Sequence, residues 1–469
     1  MGTAWLMKRR RLRKLSFLLL VLVLLLPSSL ATTFVGGGII TSKADSAHVL
    51  SLGQVQVTTN PIKEFQVPTN NSGPDGIVAA PNDTFWFSEY TGGKIGEFFA
   101  ANDTFREFTV PERGANATAL AIDRLGRIWF SDQSRTGSIW MFDPSNDNFT
   151  QYKTLTKDSK PLFILVDSAN NVWFTESTAN RLGELSYQNP VMVEYPLPTA
   201  QSGPVELSFG QNDSIIWITE TFSGKIAEFN TGTHNFIEFT PPPAESLKSP
   251  VGIVVDHQGN VWVSDHGGSA VEELIPSNST FRRFPTSVPP ASVGYPISAV
   301  ATLAIDAKGR LWFVEHFANK VGRLDPSTGS MEEFLIPTQG AYSVQNAVDS
   351  KGNFWFTEFE GNEIGMISSN ATSPIETYVV PSPSSTVSSG QEVTRNVMIT
   401  NTLSTPMAVQ LNVTSTFSQT GQTTEQEVSL NASSLDLEPG ESAGVTATIT
   451  PDSSLSSGVY SVGIVATYG

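Results

Sequence analysis

Acidic residues recur at one position of a repeated tryptophan motif. Seven segments read apolar-Trp-apolar-x-acid, and their acids are Glu89, Asp132, Glu176, Glu220, Asp265, Glu315 and Glu358. Carboxylate oxygens are the ligands that hard cations prefer. Glu89, Asp265, Glu315 and Glu358 are therefore candidate ligands of a shared magnesium or calcium ion. In an alternative interpretation each acid accepts backbone hydrogen bonds from a neighbouring loop, which would explain why every copy has one.

Two histidines depart from the repeat. His266 and His316 directly follow the acid in consecutive copies, whereas His48, His234 and His257 lie in leader or turn segments. Histidine beside a carboxylate can bind a metal or titrate near neutral pH. The pair is thus the candidate catalytic or metal-binding site, and the alternative is that both side chains only pack or hydrogen-bond.

The spacing of the motif predicts the fold that must position these residues. Successive motif tryptophans are 43, 44, 44, 45, 50 and 43 residues apart. Each copy contains four short segments rich in β-forming residues, and Asp-x-x-Gly turns join the first two segments in several copies. Four strands in about 44 residues are typical of a propeller blade. We therefore predict an all-β, seven-bladed β-propeller.

Chain direction predicts which residues share a face of the propeller. The second strand of a blade ends on the face where the inner strand begins, so all seven acids should lie there. Tyr90, Asp75 and Glu360 are further candidates for this ligand face. One outer segment is surplus, and we expect Ile62 to Val67 rather than Ile375 to Val380 to complete the seventh blade, because joining the chain ends removes an open edge.

The predicted domains differ in composition. Residues 1–31 resemble a signal peptide or an uncleaved membrane anchor, because six basic residues precede a short apolar run. Residues 32–60 are a predicted leader, 61–381 the propeller, and 382–391 a linker rich in Pro and Ser. Residues 392–469 alternate apolar and polar residues without tryptophan, which predicts a small β-sandwich resembling Ig-like modules.

Composition excludes several functions. The net charge of -17 disfavours nucleic acid as a partner, and the absence of cysteine excludes disulfides, thiolate metal sites and a cysteine nucleophile. The signal segment predicts a secreted, extracytoplasmic or cell-surface protein, with an N-terminal membrane tether as the alternative. Ten Asn-x-Ser/Thr sequons are compatible with a glycoprotein: Asn70, Asn82, Asn102, Asn116, Asn148, Asn212, Asn278, Asn370, Asn412 and Asn431.

Three groups of residues resemble streptogramin (virginiamycin B) lyases over about residues 62–380. They are Gly73-Pro74-Asp75-Gly76-Ile77, the Trp-Phe-Thr-Glu motifs and Asn319-Lys320-Val321-Gly322-Arg323. The resemblance implies a seven-bladed propeller, a histidine base after the proline of Pro-x-Gly-Ile that opens a cyclic peptide lactone, and magnesium held by acids. The matching positions carry no histidine: they are Asp75, Thr118, Leu162, Val205, Val251, Ala301 and Val344.

Two main functions follow from these patterns. The first is a non-catalytic recognition module that binds a glycan, peptide or protein, with the Ig-like module as a spacer. The second is a metal-dependent lyase or lactone hydrolase that uses the carboxylates with His266 and His316 on the axial face. A structural component of the cell envelope is a third possibility. The fold alone does not choose among them.

Overall fold

The computed structural model describes the chain in segments. They are residues 47–57, 61–81, 83–134, 137–243, 246–286, 297–371, 375–379, 385–388, 392–401, 407–416, 427–438, 441–450 and 459–468. The predicted signal segment, 1–31, lies outside them. The described part of the chain contains no helix with the length and hydrophobicity that a membrane crossing requires. The chain divides into two compact units.

The first unit is a β-propeller of seven four-stranded antiparallel blades, as the repeat predicts. Strands are given from the inner to the outer strand of each blade. Blades 1 to 3 are Pro74–Ala80, Thr84–Glu89, Lys94–Phe99, Thr104–Thr109; Ala117–Ile122, Ile128–Asp132, Ser138–Asp143, Asn148–Lys153; and Pro161–Val166, Val172–Glu176, Arg181–Leu185, Met192–Pro196. Blades 4 and 5 are Pro204–Phe209, Ile215–Glu220, Lys225–Asn230, Asn235–Phe239; and Pro250–Val255, Val261–Asp265, Ala270–Ile275, Thr280–Pro285. Blades 6 and 7 are Val300–Ile305, Leu311–Glu315, Lys320–Asp325, Ser330–Leu335; and Ser343–Val348, Phe354–Glu358, Glu363–Ile367, Ile62–Gln66. A 3-10 turn, His266–Gly268, follows the second strand of blade 5.

The prediction for ring closure is confirmed. Ile62–Gln66 pairs antiparallel with the third strand of blade 7, with Ile62 opposite Ile367 and Gln66 opposite Glu363. Blade 7 therefore combines the two ends of the propeller sequence. Asn362 reinforces the joint, because its Nδ2 donates to the carbonyl oxygens of Val67 and Thr69, each at 3.1 Å.

Each motif tryptophan packs against the next blade. Trp86 of blade 1 joins Leu120 and Phe142 of blade 2 in one apolar cluster. Trp355 of blade 7 likewise joins Phe85 and Phe98 of blade 1 across the closing joint. All seven motif tryptophans are buried. Their repetition therefore reflects the apolar interfaces between blades, which hold the ring together.

The second unit contains two sheets in its described residues. One has the strand order Ser385–Ser388, Ala47–Val57, Val459–Tyr468, Met407–Thr416, Ser434–Leu437. The other has the order Ile375–Val379, Val393–Asn401, Ser442–Thr450, Glu427–Leu430. Ala47–Val57, from the predicted leader, thus pairs in parallel with Val459–Tyr468. Ile375–Val379, placed by the prediction within the propeller range, pairs with Val393–Asn401.

The tryptophans are also held by the Asp-x-x-Gly turns. Asp306 accepts hydrogen bonds from Trp312 Nε1 at 2.9 Å, from the backbone N–H of Lys308 at 2.9 Å and of Arg310 at 3.0 Å, and from Arg310 Nε at 2.8 Å. The same Trp–Asp bond occurs in blades 2, 3, 5 and 7. Gln211 occupies this position in blade 4 and is exposed.

We expect Asp306→Ala to destabilise the propeller by roughly 2–4 kcal/mol, because it leaves several donors unpaired around a buried tryptophan. Gln211→Ala, the matched change in a blade without the bond, should cost less than about 0.5 kcal/mol. Denaturant unfolding monitored by tryptophan fluorescence measures both. Equal effects of the two changes would show that the turn bond contributes nothing specific.

Candidate functional site

The face where the inner strands begin has one variable position per blade. In every blade the first residue of the inner strand pairs with the acid that ends the second strand, as Pro250 does with Asp265 and Val300 with Glu315. The acids therefore lie at this end of the blades, which we call the axial face. The residues that follow the acids are Tyr90, Gln133, Ser177, Thr221, His266, His316 and Phe359.

The two histidines of this set are in contact. His266 Nε2 lies 3.3 Å from His316 Nδ1, and the ring planes meet at 75°. Hydrogen bonds hold the main chain of both residues, because the His266 N–H donates to the Ser249 carbonyl and the His316 N–H to the Ala299 carbonyl. Only 1% of His266 and 7% of His316 is exposed.

Burial keeps this pair neutral. It lowers the pKa of His266 to about 3. Burial, and secondly the neighbouring His266, lowers the pKa of His316 well below its usual value. Nδ1 of His266 and Nε2 of His316 are buried without a hydrogen-bond partner. In either tautomer, therefore, the pair has one donor and one lone pair to offer, and neither nitrogen reaches solvent.

Aromatic rings surround the pair. The ring of Tyr342 lies 4.6 Å from that of His316, and the ring of Phe317 lies 6.0 Å from that of His266. Tyr342 adopts a φ of 51°, whereas glycine stands at the matching positions of blades 1 and 4, Gly73 and Gly203. A bulky residue with positive φ is strained by about 1–2 kcal/mol, so this position retains an aromatic ring at a conformational cost.

The aromatic surface continues into blades 7 and 1. Phe359 and Tyr90 occupy the positions that match His316 and His266, and their rings lie 6.0 Å apart. Asp75 is buried below them and accepts a hydrogen bond from Gln345 Nε2 at 3.1 Å. Burial raises the pKa of Asp75 to about 7. Burial, followed by the charge of Asp75, also raises the pKa of Tyr90.

The predicted metal ligands are not brought together. Asp265 accepts the backbone N–H groups of Lys248 and Ser249 and pairs with Arg283 at 3.1 Å, as the backbone-acceptor interpretation expects. Within the described residues, no group of three potential ligands includes Asp265, Glu315 or Glu89. Glu360 is exposed.

The glutamates among the predicted ligands interact within their own blades. All oxygens of Glu89, Glu315 and Glu358 are buried without a hydrogen-bond partner. Burial, and then a glutamate on the outer strand of the same blade, raises the pKa of Glu89 to about 8 and that of Glu358 to about 9. Burial, and then Glu333, also raises the pKa of Glu315 well above its usual value. No ion shared between blades follows from these contacts.

Sequence reasoning identified His266, His316 and Tyr90 but missed Tyr342, Phe317 and Phe359. Phe359 could have been found by comparing the residue after the acid in all seven copies. Tyr342 and Phe317 could not, because their nearness to the histidines depends on how loops of adjacent blades approach each other.

Comparisons with known proteins agree with the fold. The model of the virginiamycin B lyase family matches residues 132–397. The chain belongs to this family. No curated protein matches it.

Solved structures of family members are similar over the propeller. A streptogramin B lyase is 24% identical with a TM-score of 0.59, and covers 66% of this chain and 97% of its own. Virginiamycin B lyase from Staphylococcus aureus is 25% identical with a TM-score of 0.58, and the match covers 66% of this chain and 98% of that enzyme. A structure of a catalytically inactive histidine-to-alanine variant of that enzyme with quinupristin is 25% identical to this chain, with a TM-score of 0.59. The match covers 66% of this chain and 98% of the variant.

The buried pair should not titrate in the range of ordinary histidines. With labelled histidine, NMR signals assigned to His266 and His316 by glutamine substitution should stay unchanged between about pH 8 and pH 5. Because the folded pKa lies below the unfolded value, the pair's contribution to stability is present above about pH 6.5 and is lost as the pH falls. A midpoint near 6.5 for either signal would contradict the buried, neutral pair.

Proposed function

We propose that this protein is an exported recognition module of the virginiamycin B lyase family that binds its ligand on the axial face without chemical conversion. The predicted ligand is a glycan, peptide or protein. The observation that carries the proposal is the aromatic cluster at the histidine pair, in which partly exposed Phe317 and Tyr342 pack against buried His266 and His316. Partly exposed aromatic rings that are held in place from behind suit ligand binding by ring contact.

The absence of a placed base argues against catalysis. None of the seven positions that match the residue after the proline of Pro-x-Gly-Ile is histidine, so we propose that the family's catalytic histidine is missing. Asp75 is the ionisable residue among them, and it is 5% exposed and bonded to Gln345. A general base must reach the proton that it removes, and neither Asp75 nor the histidine pair is open to a substrate.

The residues of the axial face do not fit the magnesium ion that the family resemblance implies. Asp265 is neutralised by Arg283 and by two backbone amides. Glu89, Glu315 and Glu358 each face the third and outer strands of their own blade. Among the described residues these four carboxylates do not converge with one another, so they do not form the shared site that a hard cation on this face would need.

Export and the second unit remain parts of the proposal. The basic and apolar start of the chain favours secretion or a surface tether, and the sequon residues Asn102, Asn148, Asn212 and Asn278 are exposed on the propeller. At Asn116, by contrast, Nδ2 donates to the Tyr90 carbonyl at 3.0 Å, so that amide is already engaged. The second unit, which we propose to be Ig-like, serves as a spacer.

A binding experiment tests this proposal. Quinupristin, dextran and a casein digest represent cyclic peptides, glycans and linear peptides, and calorimetry measures their binding to the full chain. We expect one class to bind, and Tyr342→Gly to weaken its affinity at least tenfold while the backbone conformation is preserved. Leu125→Ala removes an exposed apolar side chain from a turn at the opposite end of the blades, so affinity should be unchanged.

The alternative is a metal-dependent lyase or lactone hydrolase, which family membership favours. Mass spectrometry of quinupristin after incubation with magnesium or calcium distinguishes the two functions. Ring opening by elimination leaves the mass unchanged but alters fragmentation, whereas hydrolysis adds one water. If either product forms, and if His266→Ala or His316→Ala abolishes its formation, the protein is an enzyme and the proposal of a non-catalytic recognition module is wrong.

A further inference from the structure

A charge arrangement recurs in four of the seven blades. A glutamate ends the second strand, a lysine or arginine opposite it opens the third, and another glutamate lies on the outer strand. The sets are Glu89, Lys94, Glu107; Glu176, Arg181, Glu194; Glu220, Lys225, Glu238; and Glu315, Lys320, Glu333. Each of these four blades therefore has one basic group between two carboxylates.

Blade 4 shows the geometry of this arrangement. Lys225 Nζ lies 2.7 Å from Glu238 Oε2 and 2.8 Å from Thr199 Oγ1. Thr199 also donates its backbone N–H and its hydroxyl to Glu238. The ammonium group thus lies between a threonine and the outer glutamate, and its charge offsets that of the buried Glu220.

Blade 7 keeps this arrangement but replaces the base with an acid. Glu358 ends the second strand, Glu363 stands opposite it, and Glu64 comes from the closing strand. Thr338 donates its N–H to Glu64 at 2.8 Å, and its hydroxyl lies 2.8 Å from Glu363 Oε2 and 3.2 Å from Glu64 Oε2. Glu363 therefore takes the place of the lysine, but its carboxylate accepts a hydrogen bond from the threonine hydroxyl, whereas the lysine donates one.

The three carboxylates converge around a buried side chain. One oxygen from each of Glu64, Glu358 and Glu363 lies within 4.8 Å of the others. Glu358 is 0% exposed, and neither of its oxygens has a hydrogen-bond partner. In the other four blades the matching glutamate faces a cation, whereas here it faces two further acids.

We propose that Glu64, Glu358 and Glu363 bind one calcium ion that replaces the missing basic side chain of blade 7. Calcium accepts oxygen ligands at 2.3–2.6 Å in flexible geometry, so ligands on opposite sides of the ion lie about 4.6–5.2 Å apart. These three glutamate oxygens lie within 4.8 Å of one another, which fits that range. Magnesium instead keeps most of its waters and is rarely enclosed by several carboxylates.

The position of the site gives the ion a structural role. Glu64 belongs to the strand that closes the ring, whereas Glu358 and Glu363 lie almost 300 residues later in the sequence. An ion shared by them ties the two ends of the propeller together. Without it, Glu64 and Glu363 repel each other at the joint that completes the ring. This role is independent of the ligand proposed for the axial face.

Calorimetry and thermal unfolding of the full chain, after removal of metals with a chelator, test the proposal. Calcium should bind with one ion per chain and raise the Tm by roughly 4–8 °C when free calcium exceeds the Kd about 100-fold. Amide exchange of residues 62–66 should slow at the same time. Magnesium at equal concentration should have less than a tenth of this affinity.

Substitutions locate the ion. Glu363→Lys restores the arrangement of the other blades, so it should abolish calcium binding and give a metal-free Tm at or above that of the unsubstituted chain. Glu64→Gln should weaken binding at least tenfold. Glu228→Lys makes the same charge change on the third strand of blade 4 and should leave calcium affinity unchanged. Absence of calcium binding to the unsubstituted chain, or its survival in Glu363→Lys, would overturn the proposal.

Discussion

The propeller depends on one antiparallel joint between the ends of its sequence. Ile62–Gln66 supplies the outer strand of blade 7 and pairs with Glu363–Ile367, and the Val67 N–H extends this joint by donating to the Asn362 carbonyl. The apolar contacts between blades form a closed circle only when this joint holds, because Trp355 of blade 7 must meet Phe85 of blade 1. Every residue of the axial face takes its position from that circle. A site formed by residues from several blades therefore requires that the ring is closed.

Repetition gives the fold its stability and also concentrates its charge. An acid at the end of each second strand places seven carboxyl groups in buried surroundings, and each blade must neutralise its own. Two blades use aspartates that accept backbone hydrogen bonds, and four use a lysine or arginine. Blade 7 has neither of these solutions. The closing joint is thus the place where the repeat is least balanced electrostatically.

Catalysis and binding make different demands on the same face. A base that removes a proton from carbon must be exposed to its substrate and must keep a suitable pKa. His266 and His316 instead contact each other beneath aromatic rings, and burial removes their positive charge. Such a pair supports the shape of the aromatic surface that packs against it. Family membership establishes the scaffold, and the residues that differ among the blades decide what the scaffold can bind.

The sequence by itself determined the number of blades, the strands of each blade and the strand that closes the ring. These features depend on local periodicity and on pairing between neighbours, which every copy of the repeat specifies again. Comparison of copies also identified His266, His316 and Tyr90. Only the tertiary structure showed that the candidate carboxylates face their own outer strands, because the direction of a side chain at a strand end depends on packing within the blade. Only the tertiary structure, too, brought Glu64 beside Glu358 and Glu363, since residues so far apart in sequence meet through ring closure alone.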